Sequence, residues 1–255
     1  MNRCVRLLAL AGLLPAGIAT AHHALEFIEL ESYSTSRKGE RLFHLHYDYM
    51  SEDKNDPRLD HWELTPGIAY GITDRLMFDV HGHYAKFENG LVVEDRQAEF
   101  EPSGPSPFFE AVAFTMQYRL TEGAPVDVAI SGTFELPMDR AKELLESEEV
   151  YEAKLILARS FGVHGNVTLN LSSEWEGDED SQAWGIGIRE SLTGEPHGTA
   201  AGLEVLGSFE DFEDSWSVLP GIYFPINEQT ILKTGIEIGK GADYTRANVT
   251  LMHRF

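Results

Sequence analysis

Four histidines and one glutamate are spaced so that they could bind a metal ion together. His44 and His46 are two residues apart, His81 and His83 repeat that spacing, and Glu63 lies between the two pairs. In an extended strand, residues i and i+2 point to the same face and lie about 7 Å apart. Imidazole and carboxylate are ligands of zinc, copper and nickel. These five residues are therefore a candidate transition-metal site, and polar lining of an interior surface is the plainer alternative.

The five side chains share a surface only if their segments are neighbouring strands, and the sequence predicts such strands. Apolar and polar residues alternate over twelve segments of about ten residues, the length that a tilted strand needs to cross a bilayer. The segments cover approximately 41–50, 61–72, 75–86, 108–120, 126–137, 150–161, 166–176, 182–193, 199–210, 215–226, 230–239 and 244–255. The polar face of the first three carries His44, His46, Asp48, His61, Glu63, Thr65, Asp79, His81 and His83. Because consecutive strands of a meander are neighbours, these side chains are predicted to face one lumen.

The opposite faces of the predicted strands are apolar, with aromatic residues near the strand ends, as in the interfacial girdles of membrane barrels. The last strand alternates up to the terminal Phe255. It resembles the closing strand of bacterial outer-membrane barrels, which the barrel assembly machinery reads. The expected fold class is all-β: a 12-stranded antiparallel transmembrane β-barrel of the outer-membrane type. A soluble antiparallel barrel or sandwich is the alternative.

The first residues predict export. Residues 1–21 combine a basic start, a short apolar run and a small-residue motif ending at Ala21, the pattern of a cleaved signal peptide. The apolar run is too short for a transmembrane helix, which needs about 20 residues. Cys4 is the only cysteine, so the mature chain is predicted to contain no thiol and no disulfide.

Residues 22–40 are predicted to form a separate N-terminal segment before the barrel at 41–255. This segment could pair with the first strand, lie beneath the barrel as a short periplasmic helix, or enter the lumen as a plug. After cleavage its first two residues, His22 and His23, place two imidazoles beside a free amine. That pattern can bind copper, and a disordered polar terminus is the alternative.

The charge balance excludes a nucleic-acid partner. The chain has 20 basic and 42 acidic residues, for a net charge of −22. Removing Arg3 and Arg6 with the signal peptide leaves 18 basic residues and a charge of about −24. Proteins that bind nucleic acids neutralise phosphates with lysine and arginine. The expected partners are instead outer-membrane lipid, the barrel assembly machinery and a small solute or ion.

The links between strands alternate in length and acidity. The shorter turns, predicted to be periplasmic, are at 73–74, 122–125, 162–165, 194–198 and 227–229. The more acidic links, predicted to be extracellular, are at 51–60, 87–107, 138–149, 177–181, 211–214 and 239–243. Within 138–149, the residues from Ala141 to Glu146 favour a short helix.

Motifs of enzymes are missing from the sequence. It has no G-x-S-x-G nucleophile elbow, no glycine-rich phosphate loop and no H-E-x-x-H pair. The inward charges are predicted to form salt-bridge networks that brace a narrow barrel. We therefore expect a protein that is not an enzyme.

The stretch from Thr65 to Leu76, with its Pro-Gly and Tyr-Gly-Ile-Thr-Asp-Arg-Leu sequences, resembles a hairpin of the putative outer-membrane transporter family named for the meta-pathway of phenol degradation. The stretch from Pro220 to Asn227 looks like a second instance. The resemblance implies a passive transporter or channel, and it brings no catalytic residues.

The predicted function is an outer-membrane channel or transport component for small solutes or ions. A barrel with a closed lumen, serving as a structural or metal-binding surface protein, is the alternative from another class. An outer-membrane hydrolase is a third possibility. No cofactor is expected apart from the candidate transition-metal ion.

Overall fold

A computed structural model describes residues 27–51, 60–87, 107–144, 147–162, 164–195, 198–209, 216–240 and 245–255. The predicted signal peptide and the His22-His23 pair lie outside the described residues. Most of the predicted extracellular links at 51–60, 87–107 and 211–214 lie outside them as well.

Twelve strands and one short helix make up the described structure. The strands are β1 (Arg41–Ser51), β2 (His61–Gly71), β3 (Leu76–Phe87), β4 (Phe108–Arg119), β5 (Asp127–Pro137), β6 (Val150–Phe161), β7 (Gly165–Glu176), β8 (Glu179–Ser191), β9 (Ala200–Ser208), β10 (Trp216–Asn227), β11 (Thr230–Lys240) and β12 (Thr245–Arg254). The helix α1 (Asp139–Leu144) follows β5 and overlaps the residues from Ala141 to Glu146 that were predicted to favour helix. No helix among the described residues is long and apolar enough to cross a membrane.

The strands form one closed antiparallel barrel in which each strand pairs with its neighbours in the chain. The barrel closes where β1 pairs with β12, and Leu45 then lies between Pro66 of β2 and Leu251 of β12. The amide of Phe255 donates to the carbonyl of Arg41 at 2.9 Å, so the start of β1 and the end of the chain meet. The predicted fold class is confirmed.

The two faces of the barrel have opposite chemistry. The outer face exposes a continuous belt of large apolar side chains, including Tyr47, Ile68, Tyr70, Tyr84, Met116, Tyr118, Ile130, Tyr151, Trp175, Ile186, Ile188, Ile222, Ile236 and Ile238. The inner face buries polar and charged side chains, including His44, Asp79, Gln117, Asn170, Arg189, Glu204, Lys233, Glu237 and Asn248. An exposed apolar surface of this extent is unfavourable in water and matches a hydrocarbon environment.

One hairpin differs from the sequence prediction. The link predicted at 177–181 is a two-residue turn at Gly177 and Asp178, and β8 begins already at Glu179. Gly177 has a φ of 56°, a left-handed conformation that glycine adopts without steric cost. A tight turn of this kind allows Glu176 to pair directly with Glu179, so β8 begins three residues before the predicted start at 182.

Candidate functional site

Residues 27–40, here called the plug segment, run through the barrel lumen before entering β1. They form no helix or strand, yet Phe27 and Ile28 are 1% and 4% exposed. The segment contacts inward side chains on strands from several sides of the barrel, among them Gln117 on β4 and Glu204 on β9. The lumen, and not a pocket on the outer surface, is therefore the candidate functional site.

Glu204 is the central anchor of the plug segment. Its carboxylate accepts the backbone N–H groups of Ile28, Glu29 and Leu30 at 2.7, 3.0 and 2.9 Å. The hydroxyl of Tyr223 donates to the same carboxylate at 3.2 Å. Glu204 is fully buried, and a buried carboxylate is stable only when several donors replace its water. Three consecutive N–H groups that converge on one anion form a backbone nest.

Other inward side chains bind the remaining backbone of the plug segment. Lys233 donates to the carbonyl of Phe27 at 2.6 Å. Gln117 donates to the carbonyls of Ser32 and Ser34 at 2.8 and 3.0 Å. Asn170 accepts the N–H of Glu31 at 2.8 Å and donates to its carbonyl at 3.1 Å. An irregular segment needs such partners, because it has no ladder to satisfy its own backbone.

The plug segment also inserts apolar side chains, and the barrel wall has glycines where they fit. A Cβ at Gly187 would lie 2.6 Å from the ring of Phe27, and one at Gly221 would overlap the side chain of Ile28. Leu30 packs in the same way against Gly185. The wall opposite the plug is therefore shaped to receive it.

Two acidic side chains of the plug segment bind basic residues of the barrel. Glu31 accepts from Lys154 at 2.6 Å and from the hydroxyl of Ser131 at 2.9 Å. Glu29 accepts from Asn248 and lies 3.4 Å from Arg246. Burial raises the pKa of Glu29 to about 7, and it outweighs the opposing effect of the Arg246 guanidinium.

The plug segment leaves the lumen at the β2–β3 turn. The hydroxyl of Thr35 donates to the carbonyl of Asp74 at 3.1 Å, and the amide of Lys38 donates to the Asp74 carboxylate at 3.0 Å. The amide of Gly39, whose φ is 84°, then donates to the carbonyl of Gly71 at 2.8 Å. This left-handed turn directs the chain into β1.

A cluster of imidazoles lies on β1 and β3, across from one another over β2. His44 pairs in register with Gly67, and Gly67 pairs with His81, so the three residues form one row across the sheet. The carboxylate of Asp79 accepts from Nε2 of His44 at 2.7 Å and from Nδ1 of His81 at 2.6 Å. Each of these three side chains offers one atom that could bind a metal ion, and these three atoms lie within 4.8 Å of one another.

The other three predicted ligands flank this trio without joining it. Nδ1 of His83 is 2.5 Å from the Glu63 carboxylate, which also accepts from the hydroxyl of Thr65 at 2.9 Å. Nδ1 of His46 is 3.0 Å from the hydroxyl of Thr250 on β12. We call His44, His46, Glu63, Asp79, His81 and His83 together the histidine cluster.

The structure thus divides the predicted set of five. His44 and His81 come together, His83 pairs with Glu63, and His46 lies 5.2 Å from His44 between ring centroids. The residue that links the first two is Asp79, which the predicted ligand set did not include. Asp79 lies two residues before His81 on the inward face of β3, and this spacing in the sequence could have identified it as a member of the site.

Structural comparison supports the fold. Neither a protein-family model nor a curated protein matches this sequence. Among solved structures, the chain is similar to the KdgM porin, with 9% identity and a TM-score of 0.57 over 83% of this chain and 99% of that one. It is similar to the COG4313 outer membrane channel from Pseudomonas putida F1, with 14% identity and a TM-score of 0.57 over 90% and 100%. The outer membrane protein Omp33 from Acinetobacter baumannii matches with 8% identity and a TM-score of 0.50 over 87% and 100%. The fold is therefore that of an outer-membrane β-barrel.

Proposed function

We propose that the protein is a channel of the bacterial outer membrane for small polar solutes or ions, and that the plug segment narrows its passage. The observation that carries this proposal is the closed barrel with an apolar outer belt and a lumen lined by buried polar side chains. An apolar outer belt supports a location in a membrane, and a polar lumen suits solutes that cannot cross lipid.

The plug segment supports a restricted channel and not a wide pore. Its anchors come from β4, β7, β9 and β11, so it bridges the lumen and does not line one side of it. A lumen crossed by a polypeptide admits ions and small solutes more readily than large ones.

We also propose that the chain belongs to the transporter family named for the meta-pathway of phenol degradation. This proposal rests on the Thr65–Leu76 motif, whose Thr-Asp turn connects β2 and β3. Two of the similar barrels are a porin and an outer membrane channel, and this similarity favours transport over catalysis for this chain.

A barrel with a permanently closed lumen is the second candidate function. The observation that favours it is the saturation of the plug backbone by barrel side chains, above all the three N–H groups on Glu204. Both functions predict the same fold, and they differ in whether anything passes through the native protein.

Solute uptake into proteoliposomes separates the two functions. The native mature barrel is compared with a chain that lacks residues 22–36 and with a Glu190→Gln control, whose charge lies on the exposed side of β8. We expect slow uptake of ions and the smallest solutes by the native and control proteins, and faster uptake of larger solutes by the truncated chain. Uptake by the truncated chain alone favours the closed barrel. No uptake by any of them refutes the channel.

A further inference from the structure

The histidine cluster contains an arrangement that neither the barrel nor the plug segment requires. A polar lumen can be lined by serine, threonine or asparagine, whereas here two imidazoles on different strands converge on one carboxylate. We propose that His44, Asp79 and His81 bind a divalent transition-metal ion, with Zn²⁺ as the representative, on the lumenal wall formed by β1 to β3.

The first observation is an imidazole nitrogen without a partner. His44 is more than nine-tenths buried, and its Nε2 faces Asp79. Its Nδ1 makes no hydrogen bond to any residue that the structure describes. The ring can therefore carry its proton on Nδ1, and in that tautomer the lone pair of Nε2 faces the Asp79 carboxylate. A metal ion is an electron-pair acceptor, and it can take the place of the proton that Nε2 and the carboxylate otherwise share.

The second observation is the position of Asp79 between the two rings. Each of its carboxylate oxygens binds a different imidazole, Oδ2 binding His44 and Oδ1 binding His81. The carboxylate and one nitrogen of each ring therefore already face one another. The three possible ligand atoms lie within 4.8 Å of one another, and a tetrahedral zinc ion needs about 3.3 Å between ligands with bonds of about 2.05 Å. An ion that replaces the two shared protons would move the pairs at 2.7 and 2.6 Å apart towards that separation.

The third observation is the glycine between the two histidines. In the row from His44 through Gly67 to His81, a Cβ at residue 67 would lie 2.6 Å from the Cβ of His81 and would overlap the imidazole of His44. Any side chain at this position therefore displaces one of the two rings. The glycine is what allows two imidazoles on non-adjacent strands to approach one carboxylate.

The donor set determines the class of ion. Two nitrogens and one carboxylate oxygen suit Zn²⁺, Ni²⁺ and Cu²⁺, whereas Ca²⁺ and Mg²⁺ prefer sites made of oxygen alone. Three protein ligands leave a fourth position for water or a solute in the lumen. The rings of His46 and His83 lie 5.2 Å from His44 and 5.1 Å from His81, so they flank the site as further imidazoles.

Calorimetric titration of the refolded mature barrel with zinc tests the proposal. All proteins carry His22→Ser and His23→Ser, which removes binding at the mature N-terminus. Single variants His44→Gln, Asp79→Asn and His81→Gln are compared with His253→Gln, a barrel histidine outside the cluster. We expect one zinc ion per barrel, an affinity weakened about tenfold or more by each ligand variant, and no change with the control. Excess Ca²⁺ should not compete.

Two further variants separate metal binding from mere polarity. Gly67→Ala keeps every ligand but displaces the His44 ring, so it should weaken zinc binding, whereas Gly132→Ala on the outer face should not. Visible absorption of bound Co²⁺ reports whether nitrogen and oxygen ligands surround the ion. Heat-modifiable mobility on gels verifies that each variant is folded. Equal zinc binding by the native barrel and all ligand variants, or no specific binding at all, overturns the proposal.

Discussion

The contacts of the plug segment and those of the histidine cluster are both made by polar groups, but the two regions use these groups differently. Around Glu204 the groups are complementary, because three backbone donors and one hydroxyl meet one acceptor. Around Asp79 the imidazoles share one acceptor, and Nδ1 of His44 has no partner among the described residues. The first arrangement holds a peptide in place, whereas the second is where we propose that a metal ion binds.

Glycine gives the same contrast in steric terms. Gly185, Gly187 and Gly221 make room for apolar side chains of the plug segment, and Gly67 makes room for the ring of His44. A wall of β-strands can thus be fitted to an irregular segment or to a polar cluster by removing single side chains. This contrast depends on how firmly the barrel wall holds the plug segment.

The largest effect is expected from Glu204→Leu. This change leaves the amides of Ile28, Glu29 and Leu30 without an acceptor, and each buried amide without a partner costs about 1–3 kcal/mol. We expect the plug segment to leave its site, with loss of hydrogen-exchange protection at these amides. Glu190→Leu, on the outer face of β8, is the matched control and should leave the protection unchanged. Persistent protection in Glu204→Leu would show that this anchor is dispensable.

The next effect is a dependence of plug binding on pH. Glu29 has a pKa of about 7 in the docked state, raised above its ordinary value of 4.5 by burial. A raised pKa favours docking below the ordinary value, and this stabilisation is lost as the pH rises towards 7. The change in pKa corresponds to at most about 3 kcal/mol of docking free energy. Because a quarter of the Glu29 side chain stays exposed, screening by solvent reduces the loss below this limit.

The groups facing Glu29 are Arg246, Asp48, Glu237 and Glu204. Hydrogen exchange of the plug amides, corrected for intrinsic rates, should therefore be slower at pH 5 than at pH 8. Glu29→Gln should remove most of this difference. A native protein with equal protection at both values would contradict the buried, protonated state of Glu29.

A smaller effect is expected from Gly187→Leu. The new side chain would occupy the space of the Phe27 ring, and overpacking of this kind costs about 1–3 kcal/mol. The polar anchors remain intact, so partial loss of protection in the plug segment is expected. Gly132→Leu adds the same volume on the exposed face of β5 and should have no effect on the plug. Equal results for both variants would mean that the glycine wall is not fitted to the plug.

The smallest effect is expected from Tyr223→Phe, which removes only the hydroxyl donated to Glu204. One hydrogen bond to a carboxylate is worth about 1.5–3 kcal/mol, and its 3.2 Å length places it at the low end. The exchange rate of the Ile28 amide should rise only slightly. A loss as large as that of Glu204→Leu would assign the main anchoring role to the tyrosine.

The strands were predictable because a barrel wall imposes a period of two on every segment. The face of His44 and the face of Ile68 follow from that period alone. The extent of β8 was missed, since the acidic residues after Gly177 resemble a loop although glycine allows a two-residue turn.

The lumen was less predictable than the wall, because its contacts join residues far apart in sequence. Salt-bridge networks were predicted among the inward charges, but not that Glu204 and Lys233 also bind backbone groups of Ile28 and Phe27, more than 170 residues away. The local sequence of the plug segment does not predict contacts with residues so far away along the chain. The role of Asp79 was missed for a related reason, since it depends on the row that places His44 across Gly67 from His81.

Single-channel conductance in planar bilayers tests most directly whether the lumen is a passage narrowed by the plug segment. We predict small, discrete conductance steps for the native barrel and the Glu190→Leu control, and clearly larger steps for Glu204→Leu in the same folded state. Identical conductance of all three proteins, or no conductance from any of them, would contradict a channel restricted by residues 27–40.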